Sequence, residues 1–207
     1  MRLICFGDSW TAGHGVETDK KYKEEPFPDM FTQKLREQNS WPRYVANELN
    51  CTFVNLGVCG YGNHYILRDL EDSIRNKLIY SDDIIIVVLS YPYRYKKHDT
   101  MGVAELFWKM ENILKDYKHF FFNSFYPTFK EEGIKIEDLP KCFIKPNKTI
   151  SDVLKQYEID NDICVWEYDS RSVWNDDKNF WEGDYHPNAL GYKIIAEHIY
   201  EQIRHEI

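Results

Sequence analysis

Leu3-Ile4-Cys5-Phe6-Gly7-Asp8-Ser9-Trp10-Thr11-Ala12-Gly13 opens as an apolar run and breaks into a loop of small residues. A short apolar run closed by glycine predicts a buried strand of a parallel sheet. A serine just past such a strand stands at the carboxyl edge, where open α/β sheets take their ligands. Gly7 permits a sharp turn. Ser9 then opens a helical turn whose free backbone N–H groups can receive an anion. Two readings of Ser9 follow: an attacking hydroxyl beside an oxyanion site, or an ordinary helix cap. The catalytic reading requires a histidine and a carboxylate elsewhere in the chain.

Outward from this strand, apolar runs alternate with amphipathic stretches. Residues 52–56 predict a second strand, which ends in Gly57-Val58-Cys59-Gly60-Tyr61-Gly62-Asn63. Residues 84–89, Ile-Ile-Ile-Val-Val-Leu, are the most hydrophobic run and predict a central strand covered on both faces. Residues 119–125 and 163–166 predict the fourth strand and a short last one. Helices are predicted over 41–49, 64–77, 104–118, 151–156 and 188–205. Strand and helix alternating from end to end predict one α/β domain, with a parallel sheet and helices on both faces. Two polar excursions interrupt it. Residues 17–40 hold Pro26 and Pro28 and read as a lid, with Phe27, Met30, Phe31 and Leu35 giving the second half a helical face. Residues 126–150 hold Pro127, Pro140 and Pro146 and read as an insertion at the rim.

A chain of 207 residues is long enough for a real core, and 16% aromatic content argues against disorder. The net charge of −8, from 26 basic and 34 acidic residues, disfavours nucleic acid and anionic membranes as partners. It suits a small neutral substrate. No apolar run approaches the roughly 20 residues of a membrane span, and no targeting segment precedes the first strand. The expectation is a cytoplasmic protein. The five cysteines form no C-x-x-C pair and read as buried, reduced thiols.

The second informative stretch is Glu182-Gly183-Asp184-Tyr185-His186-Pro187-Asn188-Ala189-Leu190-Gly191-Tyr192. Pro187 keeps His186 out of the αR region, so the imidazole is expected on a loop ahead of the last helix. A serine hydroxyl is a weak nucleophile until a base takes its proton, and that base must be oriented by a third group. Asp184 and His186, two residues apart, supply both types. Either residue alone reads as part of a solvated loop. Together with Gly7-Asp8-Ser9 at the other end, they favour the catalytic reading.

Gly7-Asp8-Ser9, Gly60 and Asp184-Tyr185-His186-Pro187 resemble, in order and over the whole chain, the blocks of the SGNH (GDSL-type) hydrolase superfamily. The resemblance implies a flavodoxin-like three-layer α/β/α sandwich around a central parallel sheet. It implies the activity of an esterase, lipase, thioesterase or carbohydrate O-acetylesterase, on a small-molecule or carbohydrate ester. By the same resemblance Ser9 is the nucleophile, His186 the general base and Asp184 its orienting carboxylate. The backbone N–H groups of Ser9 and Gly60 donate to the oxyanion. No metal or organic cofactor is implied. Trp174, Phe180 and Trp181 are candidates to stack on a sugar ring.

Two departures qualify the pattern. Most members place the Asp three residues before the His, whereas here it is two before; Asp169, Asp176, Asp177 and Glu182 are alternatives to Asp184. The family's third block, Gly-x-Asn-Asp, supplies a side-chain oxyanion donor. Here that place reads Leu89-Ser90-Tyr91-Pro92-Tyr93-Arg94, without Asn. Ser90, Arg94 or Asn63 would have to substitute. The missing Asn also leaves open a weakly active glycan-binding module, or acyl transfer to an acceptor other than water.

Other signals are weaker. Gly57-x-x-Gly60-x-Gly62 has the wrong order for a dinucleotide loop. Asp8, His14, Asp184 and His186 are conceivable metal ligands, but no helix carries a paired ligand spacing. His64, His98 and His119 are expected on the surface or at element ends.

Overall fold

The computed structural model describes residues 1–14, 16, 29–90, 102–124, 136–144, 148–163, 165–169 and 184–207. In chain order these form β1 (Arg2–Gly7), α1 (Ser9–Ala12), α2 (Asp29–Asn39), α3 (Trp41–Glu48), β2 (Thr52–Gly57), α4 (Asn63–Arg75) and β3 (Ile84–Leu89). Then follow α5 (Val103–Leu114), β4 (Lys118–Asn123), a 3-10 turn at Ile136–Asp138, α6 (Ile150–Asn161), β5 (Trp166–Asp169), β6 (Asp184–Pro187) and α7 (Ala189–Ile203).

The main sheet has the order β2-β1-β3-β4 and every pairing in it is parallel. β3 is buried at all six positions, as its unbroken β-branched run requires of a strand covered on both faces. Successive side chains on a strand point to opposite faces, and the core divides accordingly. Leu3, Cys5, Ile84, Ile86, Val88, Phe120 and Phe122 face one way, against Trp41 and Val45 of α3, Leu154 of α6 and Ile195 and Ile199 of α7. Ile4, Phe6, Ile85, Val87, Leu89 and Phe121 face the other, against Ile66 and Leu70 of α4 and Phe107, Met110 and Leu114 of α5. The predicted three-layer sandwich is the architecture observed.

Local details refine or correct the expectations. The last strand, expected at 163–166, is β5 at Trp166–Asp169, and it pairs antiparallel with β6 outside the main sheet. Its sequence alternates aromatic with acidic residues, a period suited to a ribbon with one wet face rather than to a doubly covered strand. Residues 184–187, expected as loop, are therefore strand. Within the expected rim insertion, the outer edge of β4 is met by a short parallel bridge, Phe121 to Phe143, closed by Phe121 N–H to the Cys142 carbonyl (2.8 Å) and Ile144 N–H to the Phe121 carbonyl (2.9 Å). Within the expected lid, α2 occupies 29–39 and packs against α3 and α7, with Leu35 buried. Among the described cysteines, Cys5 is buried but Cys59 is exposed, because it sits on the glycine-rich turn after β2 rather than in a strand.

Candidate active site

The glycines at the ends of β1 and β2 decide where α1 lies. Gly7 and Gly57 are register partners. A Cβ on Gly7 would come within 2.1 Å of Thr11 Oγ1, and one on Gly57 within 2.5 Å of the Ala12 nitrogen. Only bare backbone lets this short helix rest across both strand ends. Asn55 fixes it there, its Nδ2 donating to the Thr11 carbonyl at 2.8 Å. Ser9, the first residue of α1, is thereby held at the carboxyl edge and is buried.

Asp8 caps this helix. Its Oδ1 accepts from Trp10 N–H at 3.1 Å, and its Oδ2 accepts from the Ser90 hydroxyl at 2.7 Å. Asp8 and Ser90 are both buried. Ser90 follows β3, so this bond spans the crevice between β1 and β3. In the strand order 2-1-3-4 that crevice is the topological switch point, where connections leave in opposite directions and ligands bind. Ser90 is held in turn by Asn63 at the start of α4: Ser90 N–H donates to Asn63 Oδ1 at 2.8 Å, and Asn63 Nδ2 donates to the Ser90 carbonyl at 3.2 Å. The Ser90 hydroxyl proton and one Asn63 amide hydrogen are thus spent on orienting the framework. Gly60, on the turn between β2 and α4, has φ +85°, a left-handed conformation that favours glycine.

His186 reaches the same edge from the other end of the chain. It is the third residue of β6 and is buried. β6 packs against α1. The His186 ring lies against His14, with centroids 4.4 Å apart and planes inclined by 37°. His14 follows the left-handed Gly13 cap of α1, and its N–H donates to the Ser9 carbonyl at 3.0 Å. From α7, the Tyr192 hydroxyl donates to the His14 carbonyl at 2.7 Å. His14 Nδ1 lies 3.1 Å from Cys59 Sγ, and Arg36 Nη1 lies 3.9 Å from the same sulfur. An open cavity of about 490 Å³ begins at Cys59 and is lined by Ala12, Gln33, Arg36, Glu37 and Asn55. Its lining includes neither Ser9 nor His186.

The described residues therefore bring Ser9, Asn63, Ser90 and His186 to one edge of the sheet. The backbone of Asp184 opens β6, with Asp169, one of the alternative carboxylates, as its register partner across the ribbon. Arg94, Trp174, Asp176, Asp177, Phe180, Trp181 and Glu182 lie outside the described residues. Sequence reasoning passed over two participants. The sequence offers Asp8 only as a turn residue or a conceivable metal ligand, yet it is the buried carboxylate that ties β1 to β3. His14 was weighed only as a metal ligand. Its place five residues after Ser9, just past a glycine, was the one hint that it would face the site.

No family model matches the chain, and no curated protein does. Solved structures do match. One assigned to the lipolytic G-D-S-L family, from Desulfitobacterium hafniense DCB-2, is 15% identical, superposes with a TM-score of 0.51, and covers 97% of this chain and 98% of its own. A member of the lipolytic protein G-D-S-L family from Veillonella parvula DSM 2008 is 19% identical, with a TM-score of 0.49 and 97% of each chain covered. An acetylxylan esterase from Geobacillus stearothermophilus is 14% identical, with a TM-score of 0.46, over 98% of this chain and 93% of that one. The first of these likenesses, with the strand order above, gives the chain the SGNH-hydrolase fold.

Proposed function

We propose that this chain is a serine hydrolase of small acyl esters, acting on esters of polyhydroxylated alcohols such as acetylated carbohydrate. The observation that carries the reading is the meeting of the two chain ends. The helix that begins with Ser9 and the strand that carries His186 pack together at the switch point of the sheet. The motif resemblance gives these residues their roles. The Gln33, Arg36, Glu37 and Asn55 lining of the neighbouring cavity supports a hydroxyl-rich alcohol over a long acyl chain.

In this mechanism His186 takes the proton of the Ser9 hydroxyl as Oγ attacks the acyl carbonyl. The oxyanion accepts from the backbone N–H groups of Ser9 and Gly60. His186 then protonates the leaving alcohol, and water repeats the sequence on the acyl-enzyme. Asp184 orients the imidazole; positions 184 and 186 are two apart on a strand and so share a face. Asp8, held by Ser90, fixes the turn from which Ser9 attacks.

A fluorophosphonate probe tests the nucleophile without knowledge of the substrate. The expected result is one adduct, mapped by mass spectrometry to Ser9 and absent from Ser9→Ala. Hydrolysis of p-nitrophenyl acetate should fall in that variant by roughly 10³-fold or more. An adduct elsewhere, or equal rates, would overturn the proposal.

One observation favours a second reading. The Ser90 hydroxyl already donates to Asp8, so Ser90, the described candidate at the place of the family's Asn, has its hydroxyl hydrogen turned to the framework rather than to the oxyanion. Loss of one such donor costs about 10²–10³ in turnover. The fold would then serve chiefly to bind glycans. Glycan binding that survives Ser9→Ala, with no hydrolysis of any acyl ester, would select that reading.

A further inference from the structure

Near the start of β4, at the end remote from the candidate active site, three side chains from three elements converge. Glu111 comes from α5, His119 from β4, and Cys142 from the segment bridged to the outer edge of β4. His119 Nε2 stands 2.7 Å from Glu111 Oε2, and Cys142 Sγ stands 3.2 Å from the same oxygen. All three donor atoms lie within 4.8 Å of one another. The His119 side chain is only 7% exposed, so of the two expected placements, surface or element end, it takes the second, one residue into β4.

The ring orientation adds a second observation. His119 Nδ1 lies 2.9 Å from the Tyr117 carbonyl. A carbonyl only accepts, so Nδ1 carries the hydrogen and donates. A backbone carbonyl on one ring nitrogen is what orients metal-ligating histidines through the other. Nε2 is thereby left facing the Glu111 carboxylate at 2.7 Å.

We propose that Glu111 Oε2, His119 Nε2 and Cys142 Sγ form a binding site for a zinc-class divalent transition ion. A thiolate, an imidazole and a carboxylate suit such an ion, whereas magnesium and calcium take oxygen ligands. Three protein donors leave a fourth, tetrahedral position for water. Ligand bonds of about 2.0–2.3 Å set donor atoms roughly 3.3–3.6 Å apart, so on binding the two Glu111 contacts lengthen by about half an ångström and Nε2 and Sγ settle within that same range. Burial, with Glu111 beside it, pushes the Cys142 thiol up to about 12, so in the absence of a cation the thiol donates to Glu111. On binding, the sulfur–metal bond forms and the thiol proton leaves to water. The ion would staple α5 and the 142–144 edge segment to β4.

The test uses the full chain, stripped of metal and titrated with Co²⁺ as the spectroscopic probe. One equivalent should bind, with a thiolate-to-cobalt charge-transfer band and tetrahedral d–d absorption. The band should vanish in Cys142→Ser and persist in Cys59→Ser, which controls for the His14–Cys59 pair. Zn²⁺ should displace Co²⁺, and should raise Tm in the wild type but not in Cys142→Ser. Glu111→Gln, close to isosteric, should weaken Co²⁺ binding at least tenfold while remaining folded by circular dichroism. Absence of the band at saturating Co²⁺, or its survival in Cys142→Ser, would overturn the site and leave the three residues as a hydrogen-bonded clamp. Loss of the band in Cys59→Ser alone would overturn it too, by placing the ion at His14.

Discussion

At the scale of single residues, Asp8 carries more than its motif position suggests. It is buried, and Ser90 gives it one of its two described side-chain bonds at 2.7 Å. Ser90→Ala leaves a buried carboxylate oxygen without that donor, a loss of about 1–3 kcal/mol. The expected outcome is a lower urea midpoint at unchanged m value, together with slower fluorophosphonate labelling of Ser9 as its turn loosens. The carboxylate partner of His186 can be assigned in the same way. Asp184 and Asp169 are register partners across the ribbon. Asp184→Asn should lower kcat by roughly 10³–10⁴ while Asp169→Asn keeps most of it. The reverse order would transfer the orienting role across the ribbon. Ser9 and His186 were legible in the sequence because each stands beside a local signal, a strand closed by glycine and a proline that fixes the backbone. His14 was not legible, since its contacts with His186, Cys59 and Tyr192 are made by distant parts of the chain and no spacing encodes them.

Elements were legible where composition and burial agree. β3 occupies the predicted 84–89, because six consecutive β-branched or leucine residues suit only a strand covered on both faces. α6 runs longer than the predicted 151–156. Its buried apolar residues, Ile150 and Leu154, mark little more than one turn, and the capping groups set the real limits. Thr149 Oγ1 accepts from Asp152 N–H at 3.1 Å, while Asp152 Oδ2 accepts from Thr149 N–H at 2.9 Å. Asp162 closes the helix in the left-handed conformation. Thr149→Ala removes half of that capping box and should cost about 1 kcal/mol, read as a drop in denaturation midpoint. No change would mean that α6 is held by its packing against α7 alone. The 142–144 bridge was hidden between Pro140 and Pro146, which read as loop. The Glu111–His119–Cys142 group was hidden for a related reason: a paired ligand spacing appears only when one helix supplies two ligands, and here three elements supply one each.

At the scale of the whole molecule, the amino edge of the sheet is clamped by charge, opposite the edge that carries the candidate active site. Arg2 at the start of β1 reaches Asp83 ahead of β3, through Nε to Oδ1 at 3.0 Å and Nη2 to Oδ2 at 2.6 Å. Tyr80 N–H adds a bond to Oδ2 at 2.8 Å. The Asp83 side chain is 1% exposed and that of Arg2 29%, so this is a half-buried bidentate pair rather than a surface one. Burial pushes its carboxyl up, but the Arg2 hydrogen bonds and the Tyr80 N–H outweigh that and hold it below the usual carboxylate range. Beside it, Asp82 is lowered by its bond to the Met1 amine, an exposed pair that contributes little. A carboxyl held lower in the folded chain than in the unfolded one stabilises fully above the unfolded value, near 3.9, and loses that contribution as pH falls through the folded value. Asp83→Asn should therefore cost about 2–3 kcal/mol at neutral pH, because Arg2 is left without its buried counter-charge. The gap between wild type and variant should narrow once the pH drops below about 4, where the carboxyl of the unfolded chain takes up its proton before that of the folded chain does. Urea unfolding of both proteins across pH 3 to 7 measures it. A gap that stays constant over that range would mean that Asp83 acts through its shape and hydrogen bonds, and that its charge does not hold β1 to β3.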